Sequence, residues 1–262
     1  MDRLEKALEK ARQERVGNVA VAAWGHAAPR RAEAPLLPVV MPTLTPAEDV
    51  VLEQHRILAH HARRPEADIF RILRTQVLHI MNKSGYRTLA ITSPHYGDGK
   101  TTIALNLALS IALDLKQTVL VADLDLRKPN LYEFLGLDPA TGLTNHLLHD
   151  KPLRECLVRM SFERLSVLPA GPALDHSSEV LGSPKMAAVA HELKTRYADR
   201  FIIYDMPPVL AQDDSIAFLP HVDAALVVVL DNVTRTGDLK RCLDALGNAN
   251  VIGTVLNDCT SG

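Results

Sequence analysis

The spacing of apolar residues divides the chain near residue 46. Before that point Leu4, Ala7, Leu8 and Ala11 recur at helical intervals in a charged background, which predicts a short amphipathic helix over residues 2–15. A helix of this length is marginal alone in water and gains from docking. From Val16 to Pro46 the chain turns rich in Ala and Pro, with Pro29, Pro35, Pro38, Pro42 and Pro46. That composition disfavours regular helix and central strand and reads as a linker. Order is expected to resume at Thr45, an N-cap ahead of Pro46 at the first helical position, in a helix running to Ala62. A second helix is expected over Pro65–Met81, with Ile69, Ile72, Leu73, Val77 and Ile80 along one face.

Beyond it, apolar β-prone runs at Thr88–Thr92, Thr118–Ala122, Leu165–Leu168, Phe201–Tyr204, Ala224–Leu230 and Val251–Leu256 alternate with helical patterns. Such alternation predicts an α/β fold, a doubly wound and mainly parallel sheet with helices on both faces. Residues 1–46 are thus read as helix and linker, and 47–262 as one domain.

Composition narrows the function. The 262 residues are 47% hydrophobic and 23% charged, with a net charge of −2. This excludes wholesale disorder and a nucleic-acid binder that relies on bulk positive charge, so no nucleic-acid partner is expected. Cys156, Cys242 and Cys259 are odd in number and lack paired spacing, which points to reduced thiols and against a disulfide framework or zinc site. The stretch from Asp2 to Lys10 mixes both charges, unlike a secretion signal. The longest apolar segment, Thr102 to Leu115, contains Asn106 and Asp114 and falls short of the ~20 residues that span a bilayer. A cytoplasmic chain is expected, meeting the membrane only through a partner.

Chemistry enters directly after the first long strand, at Thr92-Ser-Pro-His-Tyr-Gly-Asp-Gly-Lys-Thr-Thr102, followed by an Ala/Leu-rich helical run. Glycines let backbone N–H groups turn inward around phosphate oxygens, and a helix N-terminus adds partial positive charge. Gly97, Asp98, Gly99, Lys100, Thr101 and Thr102 therefore form a candidate nucleotide-binding loop, with Lys100 reaching the β- and γ-phosphates and Thr101 ligating Mg²⁺. Pro94 occupies the first glycine position of the full pattern and stiffens the start of the loop. A dinucleotide loop fits worse, since a third glycine is missing and the lysine has no role in it.

The second long strand ends in Asp123-Leu-Asp125-Leu-Arg127, and a later one ends in Phe201-Ile-Ile-Tyr-Asp205. Carboxylates at the C-terminal edge of a parallel sheet, beside a phosphate loop, lie where such sheets bind ligands. Asp205 is expected to hold the Mg²⁺, with Asp123 as a further metal residue. In-line phosphoryl transfer also needs an acceptor oriented or deprotonated, a task open to Asp123 or Asp125. Asn257, at the end of the last strand, reads equally as an adenine contact or a loop cap. His55, His60 and His61 read as a wet helical surface, because no carboxylate or cysteine at ligand spacing joins them. Tyr96 reads as a side chain packed over the nucleotide or as a phosphate acceptor.

These residues resemble the bacterial tyrosine kinases of capsule and exopolysaccharide synthesis, which use a P-loop fold. Gly97-Asp-Gly-Lys-Thr-Thr looks like their Walker A motif, Leu120-Val-Ala-Asp-Leu-Asp-Leu-Arg-Lys-Pro129 like their A-prime motif, and Ile202-Ile-Tyr-Asp-Met-Pro-Pro208 like their Walker B motif. The likeness covers about residues 66 to 257, and the A-prime motif is its most specific part. The resemblance implies ATP and Mg²⁺ as cofactors, with Lys100, Asp123, Asp125 and Arg127 as catalytic residues. It also implies activation by the cytoplasmic tail of a transmembrane chain-length regulator, at the inner face of the membrane. Glu66-Ala-Asp-Ile-Phe-Arg-Ile-Leu-Arg74 is similar to the family's oligomer-forming helix, so Asp68, Arg71 and Arg74 are candidate contacts in a homo-oligomer. The same family phosphorylates a tyrosine-rich tail. Here the last tyrosine is Tyr204, so either the sequence is truncated or the chain does not phosphorylate itself in that way.

Two other readings share the fold. A ParA/MinD-like switch ATPase would carry a lysine five residues before Lys100, where this chain has His95. A non-phosphorylating assembly ATPase would bind ATP to gate the same export system.

Overall fold

The apolar runs pair as strands in a computed structural model that describes residues 43–44, 49–61, 63–114, 117–137, 141–160, 162–196 and 200–259. The expected N-terminal helix and nearly all of the linker, Trp24 included, lie outside these residues. The strands are β1 (Thr43–Leu44), β2 (Thr88–Thr92), β3 (Thr118–Asp123), β4 (Val158–Met160), β5 (Leu165–Leu168), β6 (Arg200–Asp205), β7 (Ala224–Leu230) and β8 (Val251–Asn257). Among the described residues they form one eight-stranded sheet in the order β1-β4-β5-β3-β6-β2-β7-β8. Every neighbouring pair is parallel except β4 with β5. β2 and β6 are buried at every position, as expected of parallel strands covered on both faces. β4 and β1 depart from the sequence reading. The first is a short antiparallel strand with no periodicity of its own, and the second falls within the segment read as linker.

The helices are α1 (Asp49–Gln54), α2 (Pro65–Ser84), α3 (Lys100–Ala112), α4 (Leu131–Phe134), α5 (Leu143–His149), α6 (Leu153–Cys156), α7 (Ser177–Leu181), α8 (Pro184–Arg196), α9 (Asp214–Phe218) and α10 (Thr236–Leu246). One apolar layer joins α2 and α3 to one face of the sheet, and another packs α8 and Phe218 on the opposite face. α3 is apolar around most of its circumference and is buried at nearly every position.

The helix expected to run to Ala62 ends at Gln54, and the cause is tertiary. The buried amide of Asn106 on α3 accepts the N–H groups of Leu58 (2.7 Å) and Ala59 (2.9 Å), and it donates to the carbonyls of Arg56 and Thr102 (both 2.9 Å). These bonds draw the chain out of helix after Gln54, and Arg56 adopts a left-handed φ of 57°. Asn106→Ala leaves several backbone groups without partners and is expected to lower unfolding free energy by about 2–4 kcal/mol, measured by urea denaturation. A change within about 0.5 kcal/mol would remove this account.

α2 also differs from expectation. It runs on to Ser84 and stops at Gly85, whose φ of 69° supplies a left-handed cap. Its buried positions are Ala67, Val77 and Met81, with Phe70 and Leu73 partly buried beside them. Ile69 and Ile72 are instead 63% and 60% exposed, and Ile80 36%. The helix is rotated because it lies along α3, where Arg74 Nη1 donates to the Ser110 carbonyl at 2.7 Å. The three histidines are half-buried and not a wet surface: His55 stacks on Phe134, and His61 Nε2 sits 3.3 Å from Glu53.

Candidate active site

The site begins where β2 ends. Thr92 Oγ1 donates to the Pro207 carbonyl at 2.7 Å, and the Val209 N–H donates to the Ser93 carbonyl at 2.9 Å. The segment after β6 thereby fixes the start of the loop. Gly97 and Gly99 take φ values of 86° and 92°, which side-chain-bearing residues rarely adopt. At Gly99 a Cβ would also lie 2.0 Å from Asn257 Nδ2. Lys100 follows as the first residue of α3, placing the helix N-terminus at the loop.

Asp98 and Asn257 brace this loop. The Asp98 carboxylate, 2% exposed, accepts the His95 N–H at 2.9 Å and the Thr234 hydroxyl at 3.0 Å. Its carbonyl accepts Asn257 Nδ2 at 3.0 Å. Of the two readings of Asn257, this bond supports the cap. His95 points to α10, with Nε2 3.2 Å from Asp238 Oδ2. Thr102 gives its carbonyl to Asn106 and lines an apolar groove between α2 and β8.

At the centre, Lys100 Nζ lies 3.3 Å from Asp125 Oδ2, and both side chains are buried. Asp123 and Asp205 are register partners on the adjacent strands β3 and β6, so they leave the sheet side by side. Asp123 accepts the N–H groups of Asp125 (3.0 Å) and Leu131 (3.3 Å). Asp205 Oδ2 accepts the Thr101 hydroxyl at 2.7 Å, while its Oδ1 is buried with no hydrogen-bond partner. The Asn130 amide oxygen sits 3.4 Å from the same hydroxyl.

One lysine faces three buried carboxylates, and the electrostatics follow from that excess. Burial pushes the Asp205 carboxyl up to about 6, even though Lys100 and the Thr101 hydroxyl pull it back. Burial raises Asp123 well above the ordinary carboxylate range, and neighbouring Asp205 adds to the rise. Burial works against the Lys100 charge, but Asp205, Asp125 and Asp123 outweigh it and raise the pKa of the ammonium. An unpaired buried carboxylate oxygen beside a threonine hydroxyl is a fitting donor set for a hard divalent cation. Among the described residues no three His, Cys, Asp or Glu side chains form a metal cage. A cation here would complete its shell with phosphate oxygens and water, as Mg²⁺ does at phosphate sites.

The remaining candidates lie elsewhere. Arg127 is engaged by the segments after β5 and β6: its Nε donates to Ser177 Oγ at 2.8 Å and lies 3.6 Å from the buried carboxylate of Asp214. Asp68 and Arg71 pair with each other on α2, and Arg74 is engaged with Ser110. Asn130, Asp214 and Gln212 were not singled out by sequence. Asn130 and Gln212 are polar residues in segments that follow motif aspartates, which is the signal that was available.

Comparison with known proteins completes the picture. The family model described as "AAA domain" matches residues 86–236, more than half of the chain. The chain is 31% identical over 207 residues to the succinoglycan biosynthesis transport protein ExoP of Rhizobium meliloti, covering 77% of this chain and 26% of that one. It is 29% identical over 190 residues to the tyrosine-protein kinase YwqD of Bacillus subtilis, covering 72% of this chain and 79% of that one. The chain thus spans only about a quarter of the length of several relatives. Among solved structures, the chimerical protein CapA2B2 superposes with a TM-score of 0.74 at 27% identity, covering 84% of this chain and 96% of that one. The septum site-determining protein MinD of Pyrococcus horikoshii, complexed with Mg-ADP, reaches 0.53 at 27% identity, over 65% of this chain and 69% of that one. The fold is that of the P-loop NTPases, and no helix among the described residues is long and apolar enough to cross a membrane. With its loop, paired strand-end aspartates and matched relatives, the chain belongs to the AAA-domain family, in the branch that holds the bacterial tyrosine kinases of capsule and exopolysaccharide synthesis.

Proposed function

We propose that this chain is an ATP- and Mg²⁺-dependent kinase that transfers the γ-phosphoryl group to tyrosine hydroxyls. In this reading it serves exopolysaccharide or capsule export from the cytoplasmic face of the membrane, with the cytoplasmic tail of a chain-length regulator as partner. The observation that carries the reading is the juxtaposition of Lys100 with Asp123, Asp125 and Asp205 at the mouth of the phosphate loop. The relatives' names supply the tyrosine and the polymer; YwqD is named a tyrosine-protein kinase and ExoP a succinoglycan transport protein.

In this mechanism the backbone N–H groups from Gly97 to Thr102 receive the phosphates, with Asp98 and Asn257 holding the loop in shape. Lys100 exchanges Asp125 for the β- and γ-phosphate oxygens. Thr101, Asp123 and Asp205 hold Mg²⁺, which supplies positive charge where the transition state accumulates negative charge. Asp125, released from Lys100, takes the proton of the incoming hydroxyl. Arg127 acts by ordering the segment after β3 through Ser177 and Asp214. A homo-oligomer built through Asp68 and Arg71 has to exchange their intrahelical pair for one between subunits.

The deciding experiment incubates the chain with Mg-ATP and the partner's cytoplasmic tail, then maps phosphotyrosine on every protein present by mass spectrometry. Phosphotyrosine lost with Asp125→Asn supports the reading. Hydrolysis without phosphotyrosine would favour the assembly ATPase instead. A switch ATPase is less well supported, because His95 is engaged with Asp238 of its own chain.

A further inference from the structure

Asp125 is held from two sides. Oδ2 faces Lys100, and Oδ1 accepts the Lys128 N–H at 3.2 Å and the Gln212 side-chain amide at 3.5 Å. The other end of that amide is also engaged, because the Tyr96 hydroxyl donates to Gln212 Oε1 at 3.2 Å. The Tyr96 ring is in turn covered by Lys128, whose Nζ lies 4.6 Å from its centroid, a cation–π distance. Three loops, following β2, β3 and β6, thus meet in one chain of contacts ending on Asp125.

We propose that Gln212 and Tyr96 are positioning residues for Asp125. The inference rests on Asp125 being the proton acceptor of the proposed reaction. When Lys100 turns to the phosphates, Oδ2 loses its partner, and only the contacts on Oδ1 still aim the carboxylate. The Lys128 N–H is fixed by the backbone, but a glutamine side chain rotates unless its far end is held. Tyr96 holds it, and it sets the amide with its NH₂ toward the carboxylate and its oxygen toward the phenol. The reverse orientation would face a carbonyl against a carboxylate. Tyr96 therefore acts through Gln212, and neither residue is required to touch the nucleotide.

The test compares the full chain with Tyr96→Phe, Gln212→Ala and the double variant. Tyr96→Phe removes the hydroxyl and keeps the ring under Lys128. Each single change is expected to lower kcat for Mg-ATP turnover about tenfold, the scale of a misaimed catalytic group. Affinity for a fluorescent Mg-ADP analogue, measured at equilibrium, stays within about twofold, since the residues act on aim and not on binding. The double variant is expected to lose no more kcat than the worse single one, and its melting-temperature drop without nucleotide to be less than the sum of the two. Wild-type kcat in either single variant overturns the relay. Additive losses in the double variant, or a fall in Mg-ADP affinity matching the fall in kcat, also overturn it. All turnover is measured with the partner's cytoplasmic tail present: a wild-type chain that then binds Mg-ADP but never turns over ATP overturns the proposed reaction, whereas an active wild type with equally active single variants overturns the relay alone.

Discussion

Lys100→Met is expected to lower ATP turnover by at least about 10²-fold, because it removes a preorganised cation from the oxygens where charge develops. Methionine matches the buried stem of the lysine in length and shape, so the helix and core around it stay packed. What changes is the charge count. Asp123, Asp125 and Asp205, all buried, lose their shared counter-ion. Buried carboxylates without a partner take up protons in preference to staying ionised. The variant should therefore show a wild-type circular dichroism spectrum and a melting temperature that falls more steeply than wild type as pH rises through neutrality. Turnover equal to wild type would remove the phosphate-loop assignment itself. A variant that is unfolded at all pH values would show that the ion pair is mainly structural.

The second large effect concerns Asp205 and protons. Its carboxyl, pushed up to about 6 in the folded chain from the ordinary aspartate value of 3.8, binds a proton more tightly folded than unfolded. Below pH ~4 the group is protonated in both states and has no effect. Between pH ~4 and ~6 the unfolded chain gives up the proton first, so folded stability falls as pH rises, by ~1.4 kcal/mol for each pH step of one and up to about 3 kcal/mol in all. Asp205→Asn keeps an acceptor for the Thr101 hydroxyl and removes the titration. In EDTA its stability advantage over wild type is expected to grow from near zero at pH ~4 to its full size above pH ~6. Chemical denaturation across that range reads the difference directly. A constant gap at every pH would show that Asp205 is not the titrating group. With Mg-ADP added, the order should reverse, since wild type alone keeps the carboxylate for the cation.

Much of the fold was legible because central parallel strands are continuous apolar runs. β2, β5 and β7 begin and end where the sequence pattern does, at Thr88–Thr92, Leu165–Leu168 and Ala224–Leu230. The phosphate loop and the aspartates at strand ends were legible for a related reason. Charged residues that directly follow buried runs have few places to go except the sheet edge. Other features depend on contacts distant in sequence. The end of α1 is set by Asn106, far along the chain from Gln54, and no local signal marks it. The exposed face of α2 follows from its line of contact with α3, whereas the apolar spacing of Ile69, Ile72 and Ile80 suggested the opposite. Arg127 sits in a motif beside two catalytic candidates, yet its guanidinium is engaged by Ser177 and Asp214, both distant in sequence. Gln212 was silent because glutamine carries no chemistry until a carboxylate and a phenol are brought to either end of it.

The pairing of Asp123 with Asp205 also bears on how the protein is made. Translation proceeds from the N-terminus, so Lys100 and Asp123 leave the ribosome well before Asp205. β6 inserts between β2 and β3, which means that the two earlier strands cannot be neighbours in the finished sheet. A nascent chain that has emerged only as far as β5 therefore carries the whole phosphate loop but lacks the strand that separates its neighbours and completes the acidic pair. Arrested chains of increasing length should therefore lack Mg-nucleotide affinity until β6 has cleared the exit tunnel, and should reach full affinity only when Thr234 and Asn257, which brace the loop through Asp98, have followed it.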